Sequence, residues 1–323
     1  MAHSNTNTPA IKKLNKTNVI FFISTLIALL VVSIYIFKNL ASFRKILTIS
    51  TFNITVFVIF QIGLLIVNTF VLIIYLNIFN KRLFFFDSFG LNAVNTFFNN
   101  ILVKGGPFIK GYFLKKIHNL SYSDFIFTIA SFTLIEFMVA GYVGLLLLLF
   151  IYFTRGYFNI YIFLFFSIIS LGCFIFIKLP FHNFLKKSDS RIKQKIFNLL
   201  LSWKSITKNR SVIDKLFLLA LLNFIIFAMR LQYGFHILYG NANFVDCLLI
   251  SIIGTIANLL TITPAALGVR EFLIGATYGL VKGNALNAVV VTVLDRVVST
   301  ITIFILGGVF IFYFLNKMRK TKS

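Results

Sequence analysis

The chain has 323 residues, 59% of them hydrophobic and 42 of them phenylalanine, with a mean hydropathy of +0.94. That is more apolar side chain than one water-soluble core can hide, so an ordinary soluble domain is excluded. The 31 Lys and Arg against 8 Asp and Glu give a net charge of +23, but most basic residues fall between apolar runs and no polar domain interleaves aromatic with basic residues, which argues against nucleic-acid binding.

Residues 1–18 are polar and basic and read as a tail. The run FFISTLIALLVVSIYIF then opens a first span at 19–37. It is of full spanning length and lacks a small-residue cleavage site, so it is expected to stay as an anchor and not to be removed as a leader. Further spans are expected at 52–79, 124–153, 158–180, 214–239 and 285–315. Their apolar runs are continuous where a membrane β-barrel would alternate apolar with polar residues, so they are helices.

Two stretches do not fit one straight span each. Residues 83–120 are interrupted by KGGP at 104–107, and residues 245–282 by TPAALG at 263–268. Irregular backbone at membrane depth is tolerated only where it is buried in protein or lines a wet cavity, which predicts two re-entrant helical hairpins. The expected fold is an all-α polytopic membrane protein of about six spanning helices plus these two hairpins. The membrane domain covers 19–316 and a basic tail covers 317–323. The basic loop 181–213, with Phe184, Leu185, Ile192, Ile196, Phe197, Leu200 and Trp203, is either an amphipathic helix on the inner leaflet or a solvated connector.

Charge sets the expected orientation. With the N-terminus inside, segments 1–18, 80–82, 178–215 and 317–323 place nineteen basic residues in the cytoplasm, against five outside. Both termini are then cytoplasmic. Hairpin 83–120 opens from the cytoplasm and hairpin 245–282 from outside, so segments 52–153 and 214–315 are halves of opposite orientation. Short echoes accompany this. NNIL precedes Gly105, Gly106 and Pro107, NLL precedes Pro264 and Gly268, and about thirty residues after each tip a charge lies inside a span, Glu136 in one half and Asp295 with Arg296 in the other. In a chain so rich in Phe, Leu and Ile the echoes are either an inverted repeat or coincidence.

The segment TITPAALGVREF, 261–272, sets four structural and ionic demands side by side. Pro264 suits the first turn of a helix with Thr263 as its cap, and Gly268 permits a close approach of another backbone or a headgroup. Arg270 and Glu271 follow, and Asp295 with Arg296 repeat the acid and base on the next segment, so the four charges sum to zero. This quartet either locks the hairpin to the last helix or lets Arg270 or Arg296 receive an anionic headgroup by bidentate contact. Glu136 and Arg230 are further charges near the middle of their spans and are expected to pair, with a proton relay at Glu136 as a lesser reading. Around the Gly105 and Gly106 turn, exposed N–H groups with Lys104 and Lys110 are candidates to meet a phosphate. The nucleotide-binding pattern GxxxxGK[ST] is absent from the sequence. Cys173 and Cys247 stand in separate apolar runs, and the four histidines are scattered, so no metal site and no cofactor are expected.

Taken together, NNILVKGGPFIKGYFLKKIHNLSY (99–122), TPAALGVREFLIGATYGL (263–280) and LDRVVS (294–299) resemble the lysylphosphatidylglycerol synthase transmembrane-domain family, also described as flippase-like. The resemblance runs over roughly 10–318, and LGVRE is its most specific block. Ala265 and Ala266 depart from it, standing where glycine is common. The resemblance implies a domain that translocates an anionic phospholipid or lipid-linked substrate across the cytoplasmic membrane of a prokaryote. The alternative it implies is a membrane subunit of a lipid-modifying transferase, or such a transferase itself. A separate cytosolic transferase would then be a partner. The sequence ends at Ser323, close after Lys317, so lysyl transfer by this chain alone is not expected despite the family's name. The acids are few and separated, so an enzymatic role is not favoured over translocation. A carrier of small polar solutes is a third reading and would line its cavity with neutral polar groups.

Overall fold

The computed structural model describes residues 33–35, 37–178, 209–240, 242–260, 263–281 and 283–320. Among these the regular structure is helical: α1 (Leu40–Arg44), α2 (Thr51–Ile78), α3 (Phe85–Ile101), α4 (Gly105–His118), α5 (Tyr122–Arg155), α6 (Ile160–Lys178), α7 (Arg210–Tyr239), α8 (Phe244–Leu260), α9 (Val269–Leu280) and α10 (Ala285–Lys320). Helices α2, α5, α7 and α10 are long and apolar enough to cross a membrane, and the apolar stretches of α6 and α8 are shorter. The protein is an all-α, multi-pass membrane protein. The expected first span, 19–37, lies mostly outside the described residues, as does the basic loop up to residue 208.

Local chemistry sets the boundaries. Ser50 accepts a hydrogen bond from Asn53 N and Ser121 accepts one from Asp124 N, so each begins its long helix with a capped turn. Gly156, at φ 63°, ends α5 in the left-handed conformation that glycine tolerates.

The order long, short, short, long occurs twice, as α2–α5 and as α7–α10. At about 1.5 Å per residue, α3, α4, α8 and α9 reach only some 18–25 Å, less than the roughly 30 Å of a hydrocarbon core. The halves interlock. Helix α3 packs on α10 of the other half, α8 packs on α5, and α2 packs on its counterpart α7.

Ion pairs at the periphery fix which way each pair points. Asp87, in the first turn of α3, meets Lys317 near the end of α10 at 2.7 Å. Asp246, in the first turn of α8, meets Arg155, the last residue of α5, at 2.9 Å. Helix α5 begins beside the open end of the α3–α4 pair and runs about 50 Å before reaching Arg155. The open ends of α3–α4 and α8–α9 therefore lie at opposite ends of the bundle, and their turns point toward each other.

Of the buried apolar clusters, the two largest tie the halves together. One joins α5 and α6 to α7 and α8 through Val139, Ile151, Phe166, Phe224 and Ile252. The other joins α3 and α4 to α10 through Leu91, Val94, Phe113, Phe310 and Phe314. Gly90 lets α3 approach α10, since a Cβ there would stand 2.2 Å from the Phe310 ring. Both cysteines are buried and free.

Candidate functional site

The two turns and the middles of all four long helices surround one cavity of about 290 Å³. Helix α2 supplies Gln61 and Asn68, α5 supplies Glu136, α7 supplies Asn223 and Arg230, and α10 supplies Arg296, Ser299 and Thr300. The first turn contributes Asn99, Asn100 and Lys104, and the second contributes Asn258, Thr263, Ala265 and Arg270.

One wall is ionic. Asp295, fully buried, pairs with Arg270 at 2.7 Å and with Arg230, whose Nη2 donates to its Oδ2 at 3.0 Å. Glu271 pairs with Arg296 and accepts the Gly268 N–H at 2.8 Å. Arg296 Nη2 also donates to the Ala265 carbonyl at 3.0 Å, and Arg230 donates to Gln61 Oε1. Phe227 lies under Arg270 and Arg230, its ring centre 4.5 and 5.4 Å from their guanidinium carbons. The pairing crosses between segments: Arg270 goes to Asp295, and Glu271 goes to Arg296.

Arg230 belongs to this cluster and not to Glu136, which corrects the expected Glu136–Arg230 pair. The group thus holds three arginines and two carboxylates, one positive charge in excess where the quartet alone sums to zero. The carboxylates stand behind the guanidinium groups, so the wall facing the cavity is cationic. Arg270 Nε–H and Asn223 Oδ1 are buried without a hydrogen-bond partner among the described residues, one donor and one acceptor at the same cavity. Glu136 lines the cavity without an ion pair among the described residues.

The turn at TPAALG differs from expectation in detail. Pro264 opens a 3-10 turn, but Thr263 does not cap it. Its hydroxyl donates forward to Leu267 O at 2.8 Å. The helix proper begins at Val269, and Gly268 is required there by its φ of 82°. Ala265 and Ala266 sit at φ 48° and 54°, the left-handed region. Their place is one that glycine occupies without strain.

At the first turn the anion nest expected around Gly105 and Gly106 is not formed. Gly105 N donates to Leu102 O at 2.9 Å and Gly106 N donates to Asn99 Oδ1 at 3.1 Å, so both N–H groups are taken. Gly106 serves close packing, because a Cβ there would lie 2.0 Å from the Asn95 carbonyl oxygen. Lys110 turns inside the pair to Asn92 Oδ1 at 2.6 Å, away from the cavity, while Lys104 remains on the cavity wall. Among the described residues no three His, Cys, Asp or Glu gather as metal ligands.

Sequence reasoning missed the amide lining from Gln61, Asn68, Asn223 and Asn258, which joins Asn99 and Asn100 of the NNIL stretch at the cavity. Each is a polar residue within an apolar run, and that isolation was the available signal.

No curated protein and no solved structure matches the chain. The family described as the lysylphosphatidylglycerol synthase TM region matches residues 20–307, a stretch that includes both turns, all three arginines of the cationic wall and most of the four long helices. The chain therefore belongs to the lysylphosphatidylglycerol synthase transmembrane-region family.

Proposed function

We propose that this protein moves an anionic phospholipid, or a lipid-linked molecule, between the leaflets of the cytoplasmic membrane of a prokaryote. The observation that carries this reading is the meeting of two oppositely directed short-helix pairs at one polar cavity midway along four spanning helices. Two such pairs act as re-entrant hairpins whose tips reach the membrane centre, the arrangement expected of alternating access. The surplus guanidinium charge suits a phosphate, and the surrounding amides suit the rest of a hydrated headgroup. Lys81, Arg82, Lys115, Lys116 and Arg319 gather toward the end marked by the Asp87–Lys317 pair, which supports a cytoplasmic position for that end.

The test is the purified chain in liposomes carrying headgroup-labelled anionic lipid. Exchange of label between leaflets with no covalent change is expected. Folded protein that leaves the label in place, or that alters the lipid covalently, overturns the reading, and the second result would favour a lipid-modifying transferase. Arg270→Lys is expected to insert normally and transport at least tenfold more slowly, because a point charge replaces the planar donor pair. Full activity in that variant would leave the cluster a structural brace.

The neutral lining also favours a second reading, a carrier for a free polar solute. The same liposomes separate the two, because a solute carrier leaves lipid label where it was.

A further inference from the structure

The two peripheral ion pairs occupy equivalent positions in the repeated order of helices. Asp87 and Asp246 are each the third residue of the first short helix of their half, and each follows a phenylalanine-containing start, FFD and FVD. Each meets a basic residue at the end of the last long helix of the opposite half, Lys317 of α10 or Arg155 of α5. The acids lie at helix N-termini and the bases near helix C-termini, the ends where each charge is favoured. Tyr313 O–H adds a hydrogen bond to Asp87 Oδ1 at 2.9 Å.

These pairs differ from the central cluster in exposure. The Arg155 and Lys317 side chains are 33% and 32% exposed, against 4–15% for the three arginines of the cluster, although the carboxylates they meet are themselves buried. A base that reaches solvent is hydrated as soon as it leaves its carboxylate, so such a pair separates more readily than one whose members are both buried. Each pair also ties the first turn of a short helix to the end of a long helix of the other half, α3 to α10 and α8 to α5.

We infer that Asp87–Lys317 and Asp246–Arg155 are two latches of one access cycle, each closing the cavity toward its own end of the bundle and opening in turn. Both are closed in this structure. The purpose of the latches rests on the translocation reading, but their test does not, because it follows access to the cavity without moving any lipid.

The reporter is Ser299→Cys on the cavity wall, in a full-length chain with Cys173 and Cys247 replaced by serine. Labelling by a membrane-impermeant maleimide is followed in right-side-out and inside-out vesicles. Asp246→Asn should raise the labelling rate about fivefold from one side only, the shift that loss of a partly exposed pair can produce. Asp87→Asn should raise it from the other side only. The exchanged pair, Arg155→Asp with Asp246→Arg, should bring the rate part of the way back down, because the ion pair returns while each charge now stands at the helix end that disfavours it. Should Asp87→Asn fail to fold, Tyr313→Phe should give a smaller rise on the same side as expected for Asp87→Asn. The inference is overturned if both variants open the same side, if the folded exchange variant labels no more slowly than Asp246→Asn, or if folded variants label at the unmodified rate.

Discussion

The two hairpin tips hold equivalent places and are built from opposite chemistry. In the first, a neutral amide closes the turn, with Asn99 accepting the Gly106 N–H, and the governing requirement is space. In the second, a carboxylate closes it, with Glu271 accepting the Gly268 N–H while paired to Arg296, and the governing requirement is charge balance. A tip defined by packing is a fixed wall. One defined by ions has partners that a ligand can replace, so on the proposed translocation reading the responsive side of the cavity is the α9–α10 side.

The largest effect should come from removing the charge on which the second tip depends. Asp295→Ala leaves Arg230 and Arg270 buried without their shared counter-ion, a loss of about 3–5 kcal/mol. Monodisperse folded protein in detergent should be nearly absent, and a well-folded variant would show that the ionic wall is dispensable. Next is the packed tip. Gly106→Ala drives a Cβ against the Asn95 carbonyl and should cost about 1–3 kcal/mol, read as a fall in melting temperature. Because no charge changes, that fall should be the same in low and high salt. A salt-dependent loss would contradict the steric account of this tip.

Glu271→Gln should act less on stability and more on binding. Its amide oxygen still reaches the Gly268 N–H, while Arg296 loses its neutralising partner and the cluster gains a further unit of positive charge. Anionic lipid should bind at least as tightly and leave more slowly, seen as lower turnover at unchanged or lower half-saturation. Weaker binding of anionic lipid would count against the guanidinium wall as its receptor.

What the sequence disclosed follows from the range of each signal. The long helices were legible because an apolar run is a local property, and the breaks at KGGP and TPAALG marked the turns for the same reason. The charge sums over 263–296 were legible too, since the four residues lie close in the chain. Arg230 could not be assigned to Asp295, 65 residues away, by any local pattern, and its nearest conceptual partner, Glu136, was the wrong one. The latch pairs span 91 and 230 residues and were equally invisible as pairs. A chain with 8 acidic residues nonetheless offers a clue: of the buried acids, Asp87, Asp246, Glu271 and Asp295 each meet a base, and Glu136 is the exception among the described residues. Gln61, Asn68, Asn223 and Asn258 escaped because single amides in apolar helices have no period of their own.

The smallest effect concerns the backbone of the ionic tip. Ala265 is held at φ 48°, where an L-residue with a Cβ is strained by roughly 1–2 kcal/mol and glycine is not. Replacing it with glycine relieves that strain but enlarges the unfolded ensemble, a cost of about 0.5–1 kcal/mol. Ala265→Gly should therefore raise the melting temperature by a small amount, consistent with a net gain of about 0.5–1 kcal/mol. The Lys104→Gly change at the first tip, where φ is 58°, should gain by the same route. Function should separate the two. The Ala265 carbonyl is an acceptor for Arg296, so loosening it should blur the placement of that guanidinium and slow lipid exchange even as stability rises. The Asn99 turn at the first tip holds no arginine, so Lys104→Gly should alter exchange only through its lost charge, and Lys104→Met should reproduce that change. If Ala265→Gly is more stable and exchanges lipid at the unmodified rate, the strained carbonyl does not position Arg296, and the difference between the tips reduces to charge alone.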